Sequence, residues 1–286
     1  MRLFINYIIF MGLITDTLFL SLVGTSGGAI YFDSSSEDLE ITKCIFSKCT
    51  ANSGGAFYVN SPKLIASFSC ASECGAGIDS FCRTYNSAEM TMHQFSSITV
   101  RRTDCTFFAR NYYGVQKNTY VNFSDIMVAS YSFTESDYSK STDFQYCMLS
   151  MGVCGHICLY NYRSDTEFRT SMTNIIKSKS PERYGVICTY YTNMKVTNCV
   201  IKYNSDTLFH VVSSGNFIIS DCYISHQYNT GVNLNGNQLI VTEIHSFQFF
   251  ETANCFYGVI NNPTRSFDKS IRLISLLMAI FMFLSE

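Results

Sequence analysis

Thirteen cysteines, at positions 44, 49, 70, 74, 82, 105, 147, 154, 158, 188, 199, 222 and 255, and five histidines have the greatest chemical reach in this chain. One histidine stands between two of the cysteines, in Cys154-Gly155-His156-Ile157-Cys158. On one strand, residues 154, 156 and 158 would share a face, and thiolates with an imidazole can ligate zinc. Same-face neighbours on a strand are about 6.8 Å apart, too far for three to reach one ion without a bend. The segment is therefore expected to pack rather than to bind metal. His210, His226 and His245 are unevenly spaced, off the repeat derived below, so they are not expected to stack. Hydrolysis of a glycosidic bond needs two carboxylates facing each other across it. Glu37-Asp38 is the nearest pair, but adjacent strand residues point opposite ways, and a solvated turn is the simpler reading. Calcium takes six or more oxygen ligands, and no segment is dense enough in Asp to supply them. No Ser/His/Asp order or phosphate-binding glycine loop stands out. No catalytic, cofactor-binding or metal-binding residue is assigned, and no cofactor is expected.

An odd number of cysteines cannot pair completely within one chain, and a secreted disulfide scaffold would be shorter and denser in Cys. Most of the thirteen are read as small buried apolar residues. A few disulfides, for example within Cys70 to Cys82, are compatible with that reading. Charged residues are 15% of the chain, against roughly 25% in an ordinary soluble protein. The net charge is -2, and the one short basic cluster is Arg101-Arg102, so nucleic acid is not an expected partner. The 47% hydrophobic content argues against disorder. Three prolines with 24 Phe and 19 Tyr favour long runs of sheet.

Both ends are apolar. Residues 1–22 open with Arg2 and a hydrophobic stretch from Leu3 to Ile14, which suits a secretory signal or a cap on the fold. Asn6 interrupts the stretch, and no A-x-A-like site follows it. Residues 263–286 form a polar spacer and a short hydrophobic tail, uninterrupted from Leu273 to Leu284. A membrane-spanning helix takes about 20 residues. The tail is shorter, and suits membrane association, a lipid-attachment signal or an end cap.

Residues 23–262 carry a repeat. Its pattern is apolar, any, apolar, two of any kind, Cys or Ile, any, apolar. It reads Leu39, Ile41, Cys44, Phe46; then Val121, Phe123, Ile126, Val128; then Met194, Val196, Cys199, Ile201; then Phe217, Ile219, Cys222, Ile224. Met172 with Ile175, and Leu239 with Val241 and Ile244, give partial copies. Anchors at 44, 126, 175, 199, 222 and 244, with weaker ones at Cys70, Phe95 and Leu149, make eight intervals of similar length between Cys44 and Ile244. Glycine-led corners follow several anchors, at Gly54-Gly55-Ala56-Phe57, Gly185-Val186-Ile187 and Gly231-Val232, with an earlier copy at Gly27-Gly28-Ala29-Ile30. Period-two alternation puts every second residue on one face, and glycine permits sharp corners. A single such coil cannot bury its apolar face, but stacked coils can. The expected fold is all-β: a single-stranded right-handed parallel β-helix of about nine coils. Leucine-rich, propeller and helical repeats have different consensus, length or periodicity.

GGAIYF (Gly27 to Phe32) and GGAFYV (Gly54 to Val59), with CIFSKC (Cys44 to Cys49) between them, resemble the GGA[ILV] and FxxN repeats of polymorphic outer-membrane-protein-like surface proteins. Phe46-Ser47-Lys48-Cys49 takes the FxxN slot with Cys in place of Asn. The signature covers residues 24–60. The resemblance implies a β-helix displayed outside the cell, often adhesive or antigenic. The bacterial members' C-terminal transporter barrel has no counterpart here, so their export route does not carry over. Sugar-cleaving β-helix enzymes carry Asp-Asp, Asn-Thr-Asp and Gly-His-Gly elements, and this sequence has none of them. The expectation is a non-enzymatic, surface-displayed or secreted, membrane-associated repeat protein, with a surface or extracellular protein or carbohydrate as partner. A carbohydrate-active lyase or hydrolase of the same fold, or a degenerate family fragment, remain as alternatives. A cluster of Asp, Arg and His along one lateral groove would favour the enzyme, and exposed aromatics on a polar face would favour binding. Asn122-Phe123-Ser124 is a glycosylation sequon.

Overall fold

The structure, a computed structural model, describes residues 12–240 apart from 68, 77–79, 92–93, 97–98, 101–106, 120, 125–126, 129–131, 138–140, 151–152, 155–156, 163–167, 180–184, 205–206 and 226–237. Residues 1–11 of the apolar N-terminal segment and the tail at 263–286 lie outside the described residues. Among the described residues the regular elements are β-strands, with no helix. Each strand pairs in parallel with its counterpart one coil on, for example Leu18–Leu20 with Ile45–Ser47 and then with Cys70–Ser72. The chain is a parallel β-solenoid.

Three ladders form its walls. The first face runs through Ile30–Asp33, the start of Phe57–Ser67, the start of Ser80–Thr91, Phe107–Tyr112, Ser132–Asp137, Ile157–Tyr162, Ile187–Tyr190 and Phe209–Val212. The second includes Leu39–Thr42, Val115–Thr119, Ser141–Gln145, Phe168–Ser171 and Asn193–Thr197. The third passes through nine successive strands, from Leu18–Leu20 to the end of Asn216–Ile224. Among these nine strands the coils are unequal: Val200 registers with Tyr223 across the shortest, and Gln94 with Asn122 across the longest. Leu13–Thr15 and Leu18–Leu20, within the apolar N-terminal stretch, already pair with this sheet.

Alternation decides what is buried. Leu39 and Ile41 are fully buried, and Glu40 between them is exposed. Like residues then stack along the axis: Phe19 lies on Phe46 with ring centroids 5.0 Å apart, and Phe144 on Phe168 at 5.6 Å. The middle coils are more polar inside, with Gln116, Asn118, Thr142 and Thr170 buried in the same columns.

The corners explain the cysteines. Lys43, Lys48, Glu73, Tyr146, Met172, Asn198 and Asp221 all have positive φ, between 50° and 56°. A side chain in that region costs on the order of 1 kcal/mol. The next residue turns inward, and it is small and can hydrogen-bond. It is Cys44, Cys147, Thr173, Cys199 or Cys222 at the second-to-third corner, and Cys49 or Cys74 at the following one. Side chains at the second-to-third corner donate to the carbonyl two residues back: Cys44 Sγ to Thr42 (3.3 Å), Thr173 Oγ1 to Ser171 (2.9 Å) and Cys199 Sγ to Thr197 (3.2 Å). Corner side chains also accept the amide of the matching residue in the preceding coil: Cys147 N to Thr173 Oγ1 and Cys49 N to Cys74 Sγ, both at 3.4 Å. These bonds satisfy backbone groups that the bend takes out of the ladder.

The register also corrects the repeat anchors. Phe123 aligns with Leu149 and Ile175, and through Phe95 and Ala71 with Phe46. Ile175 therefore stands at the Phe46 position, as do the weaker anchors Phe95 and Leu149. Ile126 lies outside the described residues. The Cys44 and Cys49 corners repeat the same strand, bend and small-residue pattern, so an apolar template fits either one. At the true anchor Thr173 is polar and escapes such a template.

Gly54 and Gly55 open the second glycine corner. Gly54 has φ +63°, and a Cβ on Gly55 would run into the carbonyl of Gly75 in the next coil. The first glycine supplies the turn and the second the close stacking.

Candidate functional site

The structure separates the residues first considered for chemistry. Cys154 ends the short strand Val153–Cys154, which pairs with Met127–Val128. Cys158 lies in Ile157–Tyr162 on the first face. Residues 154 and 158 are therefore on different strands in different ladders, and do not share one strand's face as the sequence reading assumed; Gly155 and His156 lie outside the described residues. Glu37 and Asp38 sit in an exposed turn, where the Glu37 amide donates to Ser34 Oγ at 3.1 Å. His210 is in register with Cys188 on the first face, and His226 and His245 lie outside the described residues. Among the described residues no three His, Cys, Asp or Glu side chains are grouped to hold a metal. Asn122 lies in a third-face strand.

Cys44, Cys49, Cys74, Cys82, Cys147, Cys188, Cys199 and Cys222 are buried free thiols, and Cys70 is disulfide-bonded. Because Cys74 and Cys82 are free, no disulfide joins Cys70 to either of them. Burial pushes the Cys44 thiol up to about 11, and Cys147 and Cys188 up to about 12. Such thiols are poor nucleophiles at neutral pH.

The first face carries the most developed surface feature. Its register sets up two neighbouring columns. One passes through Tyr31, Tyr58, Arg83, Arg110, Glu135 and Tyr160. The other passes through Asp33, Asn60, Tyr85, Tyr112, Asp137 and Tyr162. Tyr31 stacks on Tyr58 with centroids 5.3 Å apart, and Tyr85 on Tyr112 at 5.0 Å and 11°. Tyr58 and Tyr85 meet diagonally at 5.8 Å and 52°. That diagonal has a simple origin. The four tyrosines are evenly spaced in sequence, but Tyr58 registers with Arg83, just short of the next tyrosine. The tyrosine therefore steps from the first column to the second, and Arg83 takes the vacated place. Its guanidinium carbon lies 5.7, 5.2 and 5.2 Å from the centroids of Tyr58, Tyr85 and Tyr112, within cation–π range. Its Nη1 donates to Ser53 Oγ at 3.3 Å. Asp33 accepts Asn60 Nδ2 at 2.9 Å and the Tyr31 hydroxyl at 3.3 Å.

Tyr58 is pushed up to about 12, by burial first and then by its hydrogen bond to Tyr85, while Arg83 opposes the shift. Tyr31 is raised by burial and then by the Asp33 carboxylate. The phenols stay protonated at neutral pH and can both donate and accept. Tyr31 is 53% exposed, and Tyr58, Arg83, Tyr85 and Tyr112 are half-buried. The result is a pre-ordered row of aromatic edges, hydroxyls and one guanidinium.

No protein-family model, curated protein or solved structure matches this chain. Among the described residues, no helix is long and apolar enough to cross a membrane.

Sequence reasoning missed this face, although the signal was there in the tyrosines at 31, 58, 85 and 112. The Arg83–Arg110 neighbourhood leaves no local trace, because its members come from successive coils.

Proposed function

We propose that the chain is a non-enzymatic recognition solenoid, displayed on a cell surface or secreted, that binds through its first face. The stacked Tyr31, Tyr58, Tyr85 and Tyr112 with Arg83 among them carry this reading. Tyr and Arg dominate recognition hot spots because they offer large, stiff contact areas with polar tips. Stacking orders these side chains before a partner arrives, which lowers the entropy cost of binding. The GGA and FxxN-like resemblance supports an adhesive or antigenic role, and Asn204, following Ile201, stands in the same corner slot as Cys49. The apolar stretches at 1–22 and 263–286 support export and membrane association.

The test is surface biotinylation of cells expressing the full-length chain, followed by binding of the purified chain to intact cells. Surface labelling, with binding that a Tyr58→Ser/Tyr85→Ser double variant weakens at least ~10-fold, is the expected result. Protein inaccessible to the label, or binding indifferent to both tyrosines, would refute the proposal.

A further inference from the structure

Among the described residues, two pairs of corner cysteines stand in register one coil apart. Ser47 registers with Ser72 and Thr50 with Gly75, which sets Cys49 against Cys74. Thr197 registers with Ser220 and Val200 with Tyr223, which sets Cys199 against Cys222. All four side chains are buried. In each pair the amide of the earlier cysteine donates to the sulfur of the later one at 3.4 Å, and the two thiols hydrogen-bond to each other. The other buried free thiols have different neighbours. Cys44 stands between Thr17 and Ser69, and Cys147 between Val121 and Thr173. Cys82 registers with Phe57 and Ala109, and Cys188 with Tyr160 and His210.

We propose that Cys49–Cys74 and Cys199–Cys222 become disulfide staples, closed as the coils assemble in an oxidising compartment, that join neighbouring coils near either end of the described solenoid. The inference rests on the export reading above and adds the redox state that goes with it.

The register sets the Cα atoms about 4.8 Å apart, inside the roughly 4.4–6.8 Å that a disulfide spans. The oxidant is a small disulfide, RSSR. One cysteine thiolate attacks it and expels RS⁻, and the partner thiolate attacks the resulting mixed disulfide and expels a second RS⁻. Two cysteine sulfurs are oxidised, and their two protons leave with two RSH. Hydrogen bonding to Cys74 lowers the Cys49 thiol, and hydrogen bonding to Cys199 lowers the Cys222 thiol, so each pair holds one sulfur readier to attack. Burial closes these sulfurs off in the finished fold, so the bonds form during folding and resist reduction afterwards.

Each bond gives up two S–H donors, and its stabilising effect comes from the loop it closes in the unfolded chain. The paired cysteines are 25 and 23 positions apart. Coils of a solenoid touch only their neighbours, and its ends open first. Staples near the ends act where opening begins. The first one also closes the loop that carries Tyr58.

The test refolds the full-length chain from urea and reductant into a mixture of reduced and oxidised glutathione, in mild detergent. Circular dichroism checks the recovery of strand, and thiols are then alkylated in urea and mapped by mass spectrometry. Expected are cross-linked peptides joining Cys49 to Cys74 and Cys199 to Cys222, with Cys147 and Cys188 alkylated. A Cys74→Ser/Cys222→Ser variant refolded in the same mixture should have an unfolding constant in urea at least ~10-fold larger than wild type. That gap should close in reductant, where serine and thiol do the same work at a corner. Four alkylated thiols in refolded wild type, other pairings of these cysteines, or a variant as stable as wild type would each overturn the inference. If the variant fails to regain strand, the map of wild type decides alone. Bonds that form on refolding, with the same four residues found as thiols in chain taken from cells, leave the staples standing and remove the export reading. Surface-labelled chain in which both pairs are thiols removes the staples and leaves the export reading.

Discussion

The amide of Cys199 donates to Sγ of Cys222, one coil further on, at 3.4 Å, and that thiol in turn donates to the Ser220 carbonyl at 3.2 Å. One small side chain thus serves two backbone groups at a bend. Serine and threonine do the same work elsewhere: Ser69 Oγ accepts the Cys44 amide and Thr173 Oγ1 the Cys147 amide. Cys222→Ser should therefore stay within about 1 kcal/mol of wild type, and Cys222→Ala, which strands the buried Cys199 amide, should cost about 1–3 kcal/mol. Urea denaturation of the two variants separates these outcomes.

Asn204 closes its corner twice. Its Oδ1 accepts the Ser178 amide at 2.8 Å, and its Nδ2 donates to the Ile175 carbonyl at 2.9 Å. Asn204→Ala should lose about 1–3 kcal/mol. Asn204→Asp, which keeps only the acceptor, should fall between alanine and wild type in the same denaturation series.

Alkaline pH should weaken the fold through the thiols. Burial raises Cys44 from 9.0 to about 11, and Cys147 and Cys188 to about 12. A group whose pKa is raised on folding contributes stability that is intact below its unfolded pKa and is lost as pH rises through the folded one. The urea midpoint should hold from neutral pH to about 9, then fall towards pH 12. At about pH 8 an alkylating reagent should leave these three thiols unmodified in the native chain and label them in urea. Labelling of the native chain would contradict the buried stack.

At the glycine corner, Gly55→Ala drives a methyl into the next coil's backbone at Gly75. Overpacking of this kind costs about 1–3 kcal/mol, and the melting temperature should drop accordingly. Gly54→Asn should be milder than Gly54→Ala, because Asn tolerates left-handed backbone better.

The fold was legible because its signals are periodic. Leu39, Ile41, Cys44 and Phe46 are all buried, as their alternation required. Register was harder to read. The Cys44 and Cys49 corners share one pattern of strand, bend and small inward residue, so nothing local tells them apart, and Thr173 hides the anchor behind a polar side chain. The first face was legible in part: its tyrosine spacing is plain, but Arg83 joins three rings only because one coil is shorter than its neighbours on either side. The premise that Cys154 and Cys158 share one strand does not hold, because residues 154 and 157 belong to different ladders.

Because each corner side chain serves the coil before it in the same way, neighbouring coils are interchangeable at their seams. Excising residues 45–69 would join Cys44 directly to Cys70, with Cys44 taking the corner place of Ser69 and Phe19 meeting Ala71 in the column that now holds Phe46. A gene encoding such a chain can gain or lose whole turns by unequal recombination and still specify a continuous wall. Its length, and with it the reach of its tyrosine face, is then open to rapid evolutionary change without any redesign of the core.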